Sequence, residues 1–308
     1  MDADEIALLA ETAEHVFAGD DPERMVAELA EAGIGDPVAD PAVAAALLGT
    51  QGRVVGRSTL LDLALAGDDH AGGVRVVLPL PGTWRPPGSR DGGAIDVDGI
   101  VLIPEKATRY LVHTGSHVVP VAPEALHGGP VEGFDPGLGA HRVIGTLPSG
   151  AAAERAWHRV VGTGRRAIAH ELAGAGQRAL DLAIEYVGTR HQFGRPIAAA
   201  QAVRHRLVDA HVGLEAARAA LDAIPADPGG ELGALTVKAL AGRAALAAVA
   251  AAQQLCGAMG FTAEHPLHAV VRRAYLLDSL FGCAEDLEPE IGALLAARGA
   301  RSAPLVAL

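Results

Sequence analysis

Five long helical segments in the second half of the chain constrain its fold more than any other feature. Apolar residues recur at helical spacing in each segment, and breaks containing glycine or proline separate them. The segments lie near 151–188, 196–223, 231–257, 264–281 and 285–298. Four or five long helices with short connections form an antiparallel bundle. Segment 231–257 is apolar on nearly every face, which is common for a helix buried between subunits, so we expect an oligomer.

The first half of the chain is predicted to contain two smaller parts. Helical spacing and two helix starts, Asp20-Asp21-Pro22-Glu23 and Asp40-Pro41, predict N-terminal helices over residues 1–70, with Gly33 ending one of them. Residues 71–150 are rich in glycine and proline and carry short β-type runs. The runs are Val74–Leu78, Ile100–Ile103, Tyr110–Val112 and Val118–Val121. The predicted fold is therefore mainly α, with helices over 1–70, a small β domain over 71–150 and a bundle over 151–308.

The acidic composition excludes several classes of partner. The 308 residues include 25 Lys and Arg against 37 Asp and Glu, a formal charge of −12. A nucleic-acid binder needs a basic face, and an anionic membrane surface repels an acidic protein. The N-terminus is acidic where a signal peptide would be basic, and the longest apolar stretch, near 244–252, has about half of the ~20 residues of a membrane span. We expect a cytoplasmic protein with no nucleic-acid or membrane partner.

Common catalytic and metal-binding motifs are missing from the sequence. No G-x-G-x-x-G follows a predicted strand, and neither a phosphate-binding loop nor a G-x-S-x-G elbow is present. His265 and His268 have a spacing that metal pairs use, but Pro266 between them favours a surface or packing role. Cys256 and Cys283 lack the spacing of a metal site and are too few for a disulfide framework.

Two segments of the predicted bundle resemble motifs of the acyl-CoA dehydrogenases. The first, Tyr186-Val-Gly-Thr-Arg-His-Gln-Phe-Gly-Arg-Pro-Ile197 followed by Gln201, is similar to the family's Y…R-x-Q-F-G-x-P-I…Q. The second, Gln254-Leu-Cys-Gly-Ala-Met-Gly-Phe-Thr-Ala-Glu-His-Pro266 with Arg272, is similar to Q-x-x-G-G-x-G-x-T-x-E-x-P…R-D. The resemblance covers about Arg155 to Gly282. It implies an acyl-CoA dehydrogenase-like fold, in which N-terminal helices and a middle β domain precede the bundle, and it implies FAD as cofactor.

The resemblance also implies which residues contact the cofactor. In this family the flavin of one subunit reaches a neighbouring subunit with its ADP end. The residues that would hold the ADP half of a neighbour's flavin are Arg190, Gln192, Phe193, Gln254 and Gly257. Their chemistry suits a pyrophosphate, because a guanidinium forks onto phosphate oxygens and a glycine lets the backbone approach closely. Ala258 departs from the family, which usually has a second glycine there. The alternative is a packed turn at Phe193 and Gly194 beside a helix cap at Arg190.

The catalytic base of the family is missing at both positions where the resemblance would place it. Abstraction of the α-proton of an acyl thioester needs a carboxylate, and a positioned base is worth about 10²–10⁴ in rate. Phe281 stands at the usual base position, and Gly164, before Arg165, stands at the alternative one. Asp278 and Glu285 lie nearby and are candidates for a substitute base. The other interpretation of both carboxylates is a solvated helix face.

The middle region departs from the family as well. It lacks the T-E-P-x-x-G-S-D and W-I-x-N segments that cover the flavin ring, and residues 71–150 are too few for the whole domain. We therefore expect a truncated β domain that cannot enclose a flavin ring of its own. A chain with these losses resembles the short subunits of actinobacterial α2β2 acyl-CoA dehydrogenases, which act notably on CoA thioesters of steroid side chains. The resemblance implies a non-catalytic subunit that shares FAD with a full-length partner, and the partner binds most of the acyl-CoA.

Two other functions remain open on the sequence alone. One is a flavin-free binding or scaffold protein built on a decayed dehydrogenase fold. The other is a self-sufficient dehydrogenase in which Asp278 or Glu285 acts as the base. That second alternative requires this chain to retain flavin without a partner.

Overall fold

Helices form both ends of the chain and enclose a β region in its middle. The computed structural model describes residues 3–17, 19, 28–29, 31, 36–69, 72–133, 135–148, 152–225 and 230–298. The helix start predicted at Asp20-Asp21-Pro22-Glu23 and the helix end predicted at Gly33 lie outside these residues. The helices are α1 (Ala3–Phe17), α2 (Pro41–Val54), α3 (Leu60–Ala66), α4 (Trp157–Thr189), α5 (Gln201–Ala223), α6 (Glu231–Cys256), α7 (Leu267–Ser279) and α8 (Ala284–Ala297). Helices α4 to α8 correspond to the five segments predicted from apolar spacing.

Helix α2 shows how local chemistry sets a helix start. The Asp40 carboxylate accepts a hydrogen bond of 2.8 Å from the backbone N–H of Ala42. Pro41 occupies the first turn, where it has no hydrogen bond to lose. The Asp–Pro pair therefore starts this helix as the sequence predicts.

The β region contains two four-stranded sheets. The first has the order β1 (Val74–Val76), β4 (Arg109–His113), β5 (His117–Val121) and β8 (Ala153–Glu154), with β1 and β4 parallel. The second has the order β2 (Gly88–Asp91), β3 (Ala94–Val101), β7 (His141–Pro148) and β6 (His127–Pro130), and its neighbours are antiparallel. Valines from both sheets, among them Val97, Val112, Val119 and Val143, form one apolar cluster. The sheets therefore pack face to face.

The main apolar core joins the β region to the helices. It includes Leu47 of α2, Leu60 of α3, Val76 and Leu111 of the first sheet, and Ile168 of α4, and each of these side chains is buried. Helix α4 therefore has the N-terminal helices and the first sheet on one part of its surface and the other bundle helices on the rest. Its 33 residues make it the longest helix that the structure describes.

Helix α6 is a core helix of this chain. The stretch Glu231–Phe261 is long and apolar enough to cross a membrane, which corrects the prediction that no apolar segment exceeds about half a span. Two thirds of its most apolar window (67%) is buried inside the chain. Helices α4, α5, α7 and α8 supply this burial. Most of the apolar surface of α6 is thus buried within this chain, and the oligomer expected from its sequence stays a prediction.

A buried arginine ties the parts of the molecule together. The Arg273 guanidinium in α7 donates hydrogen bonds to Asp135 in the β region (2.6 Å), to Glu171 in α4 (3.0 Å) and to the carbonyl oxygen of Gly56 after α2 (2.7 Å). Burial raises the pKa of Glu171, and the positive charge of Arg273 acts against that shift. In the R-D pattern of the second motif, Arg273 replaces the Asp. The positive charge at this position agrees with its two acidic partners, Asp135 and Glu171.

Candidate functional site

The first motif folds into a hairpin at the carboxyl end of α4. Strand β9 (His191–Gln192) pairs antiparallel with β10 (Arg195–Pro196). Phe193 and Gly194 form the two-residue turn, with φ of +53° and +77°. Turns of this kind need two residues with positive φ, and a phenylalanine adopts that conformation only rarely. The turn also exposes the Phe193 ring completely (101%), so the ring is not packed against this chain.

Polar side chains flank this exposed ring. Arg190 follows the last residue of α4, and its backbone N–H donates to the Tyr186 carbonyl oxygen. Arg190 is thus the C-cap of α4 through its backbone, as the alternative interpretation had it, while its guanidinium makes no hydrogen bond or ion pair with any residue that the structure describes. Gln192 is also exposed. The hairpin therefore presents a cation, an amide and an aromatic ring to its surroundings.

The second motif lies where α6 ends. Gln254 is exposed in the last turn, and Gly257 follows α6 with a φ of +58°. A Cβ atom built at Gly257 would meet nothing within 4 Å, so the backbone there is open to an approaching molecule. Phe261 nearby is 69% exposed. Like the hairpin, this segment has an exposed aromatic ring, and its backbone at Gly257 is accessible.

Both motifs lie at the same end of the bundle. Ala183 of α4, Ala252 and Cys256 of α6 and Leu267 of α7 belong to one buried cluster beneath them. The ring of Tyr186 meets the ring of His265 edge to face, with centroids 6.2 Å apart. The structure therefore brings together the two segments that carry Arg190, Gln192, Phe193, Gln254 and Gly257.

The two positions predicted to lack a base contact each other. A Cβ atom built at Gly164 would lie 2.5 Å from Cε2 and 2.9 Å from Cζ of Phe281. The Phe281 side chain is fully buried (0% exposed), and its φ is +57°. The phenyl ring therefore fills the space that the absent side chain of residue 164 leaves open. Gly164 and Phe281 are 117 positions apart in the sequence.

Trp157 packs against the Phe281 ring and connects it to His113 and Trp84. The rings of Trp157 and Phe281 have centroids 6.0 Å apart, and those of His113 and Trp157 are 5.2 Å apart. Trp157 Nε1 donates to the Trp84 carbonyl oxygen at 2.7 Å. Burial, reinforced by the charge of Arg155, lowers the pKa of His113 to about 4, so its imidazole is neutral at pH 7. These rings form an aromatic cluster of Trp84, His113, Trp157 and Phe281.

Arg165 closes the aromatic cluster on one side. Its guanidinium lies 5.4 Å from the centre of the Trp84 ring, and its Nε donates to the Phe281 carbonyl oxygen at 3.1 Å. Burial lowers the pKa of Arg165 to about 10, which still leaves it charged at pH 7. The cluster is therefore aromatic and cationic, and neither Gly164 nor Phe281 supplies a group that could accept an α-proton.

Comparison with known proteins assigns the helical part of the chain to a family. Residues 155–292 match the sequence profile of the acyl-CoA dehydrogenase C-terminal domain. That region contains both motifs, and it also contains Gly164 and Phe281. Residues 155–292 are an acyl-CoA dehydrogenase C-terminal domain. Over 129 residues the chain is 39% identical to the acyl-CoA dehydrogenase IpdE2 of Mycobacterium tuberculosis, and this match covers 40% of each chain.

Solved structures show that the whole chain has the acyl-CoA dehydrogenase fold. A variant of the Tcur3481-Tcur3483 steroid ACAD superposes with a TM-score of 0.80 at 22% identity, covering 96% of this chain and 99% of that one. A chain of the ChsE4-ChsE5 complex from Mycobacterium tuberculosis gives a TM-score of 0.74 at 20% identity, covering 96% and 98%. At these identities the similarity establishes the fold and leaves the reaction to be argued from the site.

Asp278, one candidate for a substitute base, is buried and paired in this acyl-CoA dehydrogenase fold. It is 6% exposed, which corrects the interpretation of a solvated helix face. Its carboxylate lies 3.5 Å from Lys238 Nζ and accepts the backbone N–H of Ala284 at 3.2 Å. Lys238 Nζ also donates to the carbonyl oxygens of Asp278 (2.9 Å) and Gly282 (3.1 Å). These contacts fix the connection between α7 and α8.

The remaining candidates have local structural surroundings. Glu285, the other substitute base, lies exposed in the first turn of α8. His265 Nδ1 accepts the backbone N–H of Leu267 at 3.2 Å, and His268 Nδ1 lies 2.8 Å from the carbonyl oxygen of His265. Neither histidine belongs to a group of metal-binding side chains among the described residues.

Sequence reasoning missed the rest of the aromatic cluster. Trp84 lies before the second sheet, Trp157 begins α4 and His113 ends β4, so nothing in their spacing predicts that they meet. One signal was available. The chain has only two tryptophans in 308 residues. Large aromatic rings bury much surface and favour contact with other rings, so the two tryptophans are candidates for one aromatic cluster.

Proposed function

We propose that this chain is the short, non-catalytic subunit of an α2β2 FAD-dependent acyl-CoA dehydrogenase. One observation carries the proposal: the Phe281 ring occupies the space at Gly164. One base position therefore carries a phenyl ring, and the other carries only a hydrogen atom. The hairpin and the open backbone at Gly257 are nevertheless intact and exposed. The chain thus keeps the groups that would serve a cofactor held by another subunit and lacks those that would perform catalysis.

The exposed end of the bundle fits the ADP half of FAD. The Arg190 guanidinium is free of partners among the described residues and matches the paired oxygens of a pyrophosphate. Gln192 and Gln254 can each donate and accept a hydrogen bond, and Phe193 offers a flat apolar face. Gly257 lets the cofactor approach the backbone without a Cβ atom. In the proposed assembly this chain would bind and orient the cofactor of its partner.

The aromatic cluster does not fit a flavin ring with a base beside it. The Phe281 ring takes up the volume next to Gly164, has no exposed surface and packs against Trp157. A bound FAD would supply the acceptor for the β-hydride of the acyl thioester, and a carboxylate would be needed to take the α-proton so that the α,β double bond can form. Because this chain has no carboxylate at either base position, the partner would supply that group and bind most of the acyl-CoA.

Structural neighbours support the choice of partner and substrate. ChsE4-ChsE5 is described as a complex, and Tcur3481-Tcur3483 is described as a steroid ACAD. We therefore propose a full-length acyl-CoA dehydrogenase subunit as partner and an acyl-CoA with a bulky acyl group, such as a steroid side chain, as substrate. The acyl-CoA dehydrogenase IpdE2 is a further relative over the C-terminal domain.

Purification with and without the partner tests the proposal. The chain is expected to be colourless alone and to form a yellow α2β2 complex with two flavins when it is co-expressed with a full-length family member. Visible absorbance and native mass measure both properties. A yellow assembly of this chain alone that oxidises acyl-CoA would overturn the proposal and direct attention to Asp278 and Glu285. A colourless complex would instead favour a flavin-free scaffold.

Substitution of Arg190 tests the cofactor contact itself. A hydrogen bond to a charged group contributes about 1.5–3 kcal/mol, so Arg190→Ala should weaken FAD binding by the complex roughly tenfold or more. Arg195→Ala is a matched control, because Arg195 is exposed on the same hairpin at the variable position of the G-x-P-I pattern. FAD affinity is measured by fluorescence during reconstitution of the apo complex. If Arg190→Ala binds FAD as tightly as Arg195→Ala does, the proposed contact is wrong.

A further inference from the structure

A cavity of about 430 Å³ lies between α2, α3 and α4. Its walls are mostly apolar and include Ala45 and Leu48 from α2, Leu63 and Ala64 from α3, and Ala167 from α4. Pockets for small molecules have volumes of roughly 300–1,000 Å³ and a predominantly apolar lining. The many alanines leave room that larger side chains would fill. The dimensions and the lining are therefore those of a ligand site.

This cavity is distinct from the aromatic cluster. Thr163, Arg166 and His170 of α4 face the cavity, whereas Gly164 of the same helix faces Phe281. With 3.6 residues per turn, His170 lies about 120° around the helix axis from Gly164. Helix α4 thus presents separate sides to the two places. A molecule in the cavity would not occupy the proposed FAD contacts, which lie at the carboxyl end of α4.

The charged groups of the cavity are already engaged. Arg166 donates from Nη1 to the Leu221 carbonyl oxygen at 3.1 Å, and from Nη2 to those of Ile224 and, at 2.8 Å, Pro225. The Asp36 carboxylate accepts the backbone N–H of Val38 at 3.0 Å. These bonds hold the ends of neighbouring segments. Because Arg166 and Asp36 already have hydrogen-bond partners, the cavity favours an uncharged ligand.

Two polar side chains in the cavity lack hydrogen-bond partners among the described residues. They are the Thr163 hydroxyl and the His170 imidazole. Burial, reinforced by the charge of Arg166, lowers the pKa of His170 to about 4. The neutral ring therefore offers one N–H donor and one nitrogen acceptor. A hydroxyl or a keto oxygen on a ligand would satisfy either group.

We propose that this cavity binds an uncharged lipid with a hydroxyl or keto head group. The hydrocarbon part packs against the alanines and leucines, and the head group makes a hydrogen bond with His170 or Thr163. This ligand site is distinct from the contact between Gly164 and Phe281 and from the proposed FAD contacts.

Equilibrium dialysis of the full chain with dodecan-1-ol tests the proposal. One saturable site per chain is expected, and dodecanoate, which has the same chain length and a negative charge, should bind at least tenfold more weakly. Ala45→Phe places a ring in the cavity and should abolish saturable binding. Ala219→Phe is the matched control, because Ala219 is exposed on α5. Absence of saturable binding, equal binding of dodecanoate, or equal binding by the two phenylalanine variants would overturn the proposal.

His170→Leu provides a second variant that keeps the cavity apolar. It should weaken dodecan-1-ol binding up to about tenfold, the contribution of one hydrogen bond, and leave the binding of dodecane unchanged. Far-UV circular dichroism establishes that each variant is folded. If His170→Leu weakens the alcohol and the alkane equally, the imidazole does not recognise the head group and the assignment of ligand class fails.

Discussion

The contact between Gly164 and Phe281 can be tested by adding one methyl group to α4. In Gly164→Ala, the new Cβ atom would lie 2.5–3.0 Å from three carbon atoms of the Phe281 ring. Carbon atoms in good contact are about 3.5–4.0 Å apart, so the ring or the helix must move by about 1 Å at the nearest atom. Phe281 is fully buried and has little room to yield. The substitution is therefore expected to cost stability.

The expected magnitude follows from two opposing effects. Overpacking of a close-packed core costs about 1–3 kcal/mol. Replacement of glycine by alanine inside a helix gains about 0.5–1 kcal/mol. Gly164→Ala should therefore lower the free energy of unfolding by about 0–2.5 kcal/mol. Gly188→Ala, on the same helix, is the matched control because its Cβ atom would meet nothing within 4 Å. That variant should show only the gain, so the two should differ by about 1–3 kcal/mol.

Urea denaturation followed by far-UV circular dichroism measures this difference. Equal slopes of the unfolding transitions allow the midpoints to be compared directly. The double variant Gly164→Ala/Phe281→Leu should lose part of the overpacking term, because leucine lacks the ring atoms that meet the new methyl group. If Gly164→Ala stabilises the protein as much as Gly188→Ala does, residues 164 and 281 are not in contact. The inference that a phenyl ring fills both base positions would then fail.

Three further predictions concern buried groups. Phe281→Ala should lower the free energy of unfolding by about 3–5 kcal/mol and leave the turnover of the complex unchanged; loss of turnover in a folded complex would contradict a non-catalytic role. Arg273→Met leaves Asp135 and Glu171 buried without their partner and should cost about 3–5 kcal/mol by urea unfolding, whereas Arg142→Met breaks only the exposed pair with Asp98 and should leave the unfolding midpoint nearly unchanged. His113 and His170 each have a folded pKa of about 4 against 6.5 when unfolded, so the unfolded chain binds more protons between these values and stability falls as pH falls through this window, by up to about 1.4 kcal/mol per pH unit for each histidine. His113→Leu should remove the share of His113 and leave that of His170, and an unchanged slope would show that His113 does not contribute.

Helices could be predicted from the sequence because their signal is local. The apolar repeat gave 231–257 for α6, which extends from Glu231 to Cys256. Asp40-Pro41 marked the start of α2 for a chemical reason that depends on neighbouring residues alone. What the repeat did not contain was the location of each apolar face. The burial of α6 within this chain depends on four other helices, of which α4 and α8 do not adjoin it in sequence.

Strands were predicted less completely because their stability comes from pairing. The four predicted runs fall on β1, β3, β4 and β5, which are rich in valine and isoleucine. β2 (Gly88–Asp91) and β6 (His127–Pro130) are polar or glycine-rich edge strands, and intrinsic preference does not favour them. β7 pairs along all eight residues of β3, over 40 positions away in sequence. Its partner, and not its composition, makes it a strand.

In the candidate site, too, local features could be predicted from the sequence and contacts between distant residues could not. The motifs at Arg190 and Gln254 could be found by resemblance, and the absence of a carboxylate at Gly164 and Phe281 could be noted position by position. That Phe281 fills the space at Gly164 could not be found in this way, because complementarity of volume is a property of the folded core. The sequence interpretation of Asp278 failed for the same reason, since its burial depends on Lys238 from another helix.

The length of α4 separates the two positions proposed to lack a base from the proposed cofactor contact. Gly164 and Arg190 are 26 positions apart along this helix and its cap, which is about 39 Å at a rise of 1.5 Å per residue. Substitutions this far apart with no shared contacts have independent effects on stability. A phenyl ring could therefore replace the base at one end while the hairpin at the other end stayed intact. In a self-sufficient enzyme such a change would abolish catalysis, but in the proposed α2β2 assembly the hairpin keeps its role because the cofactor that it would hold belongs to the partner.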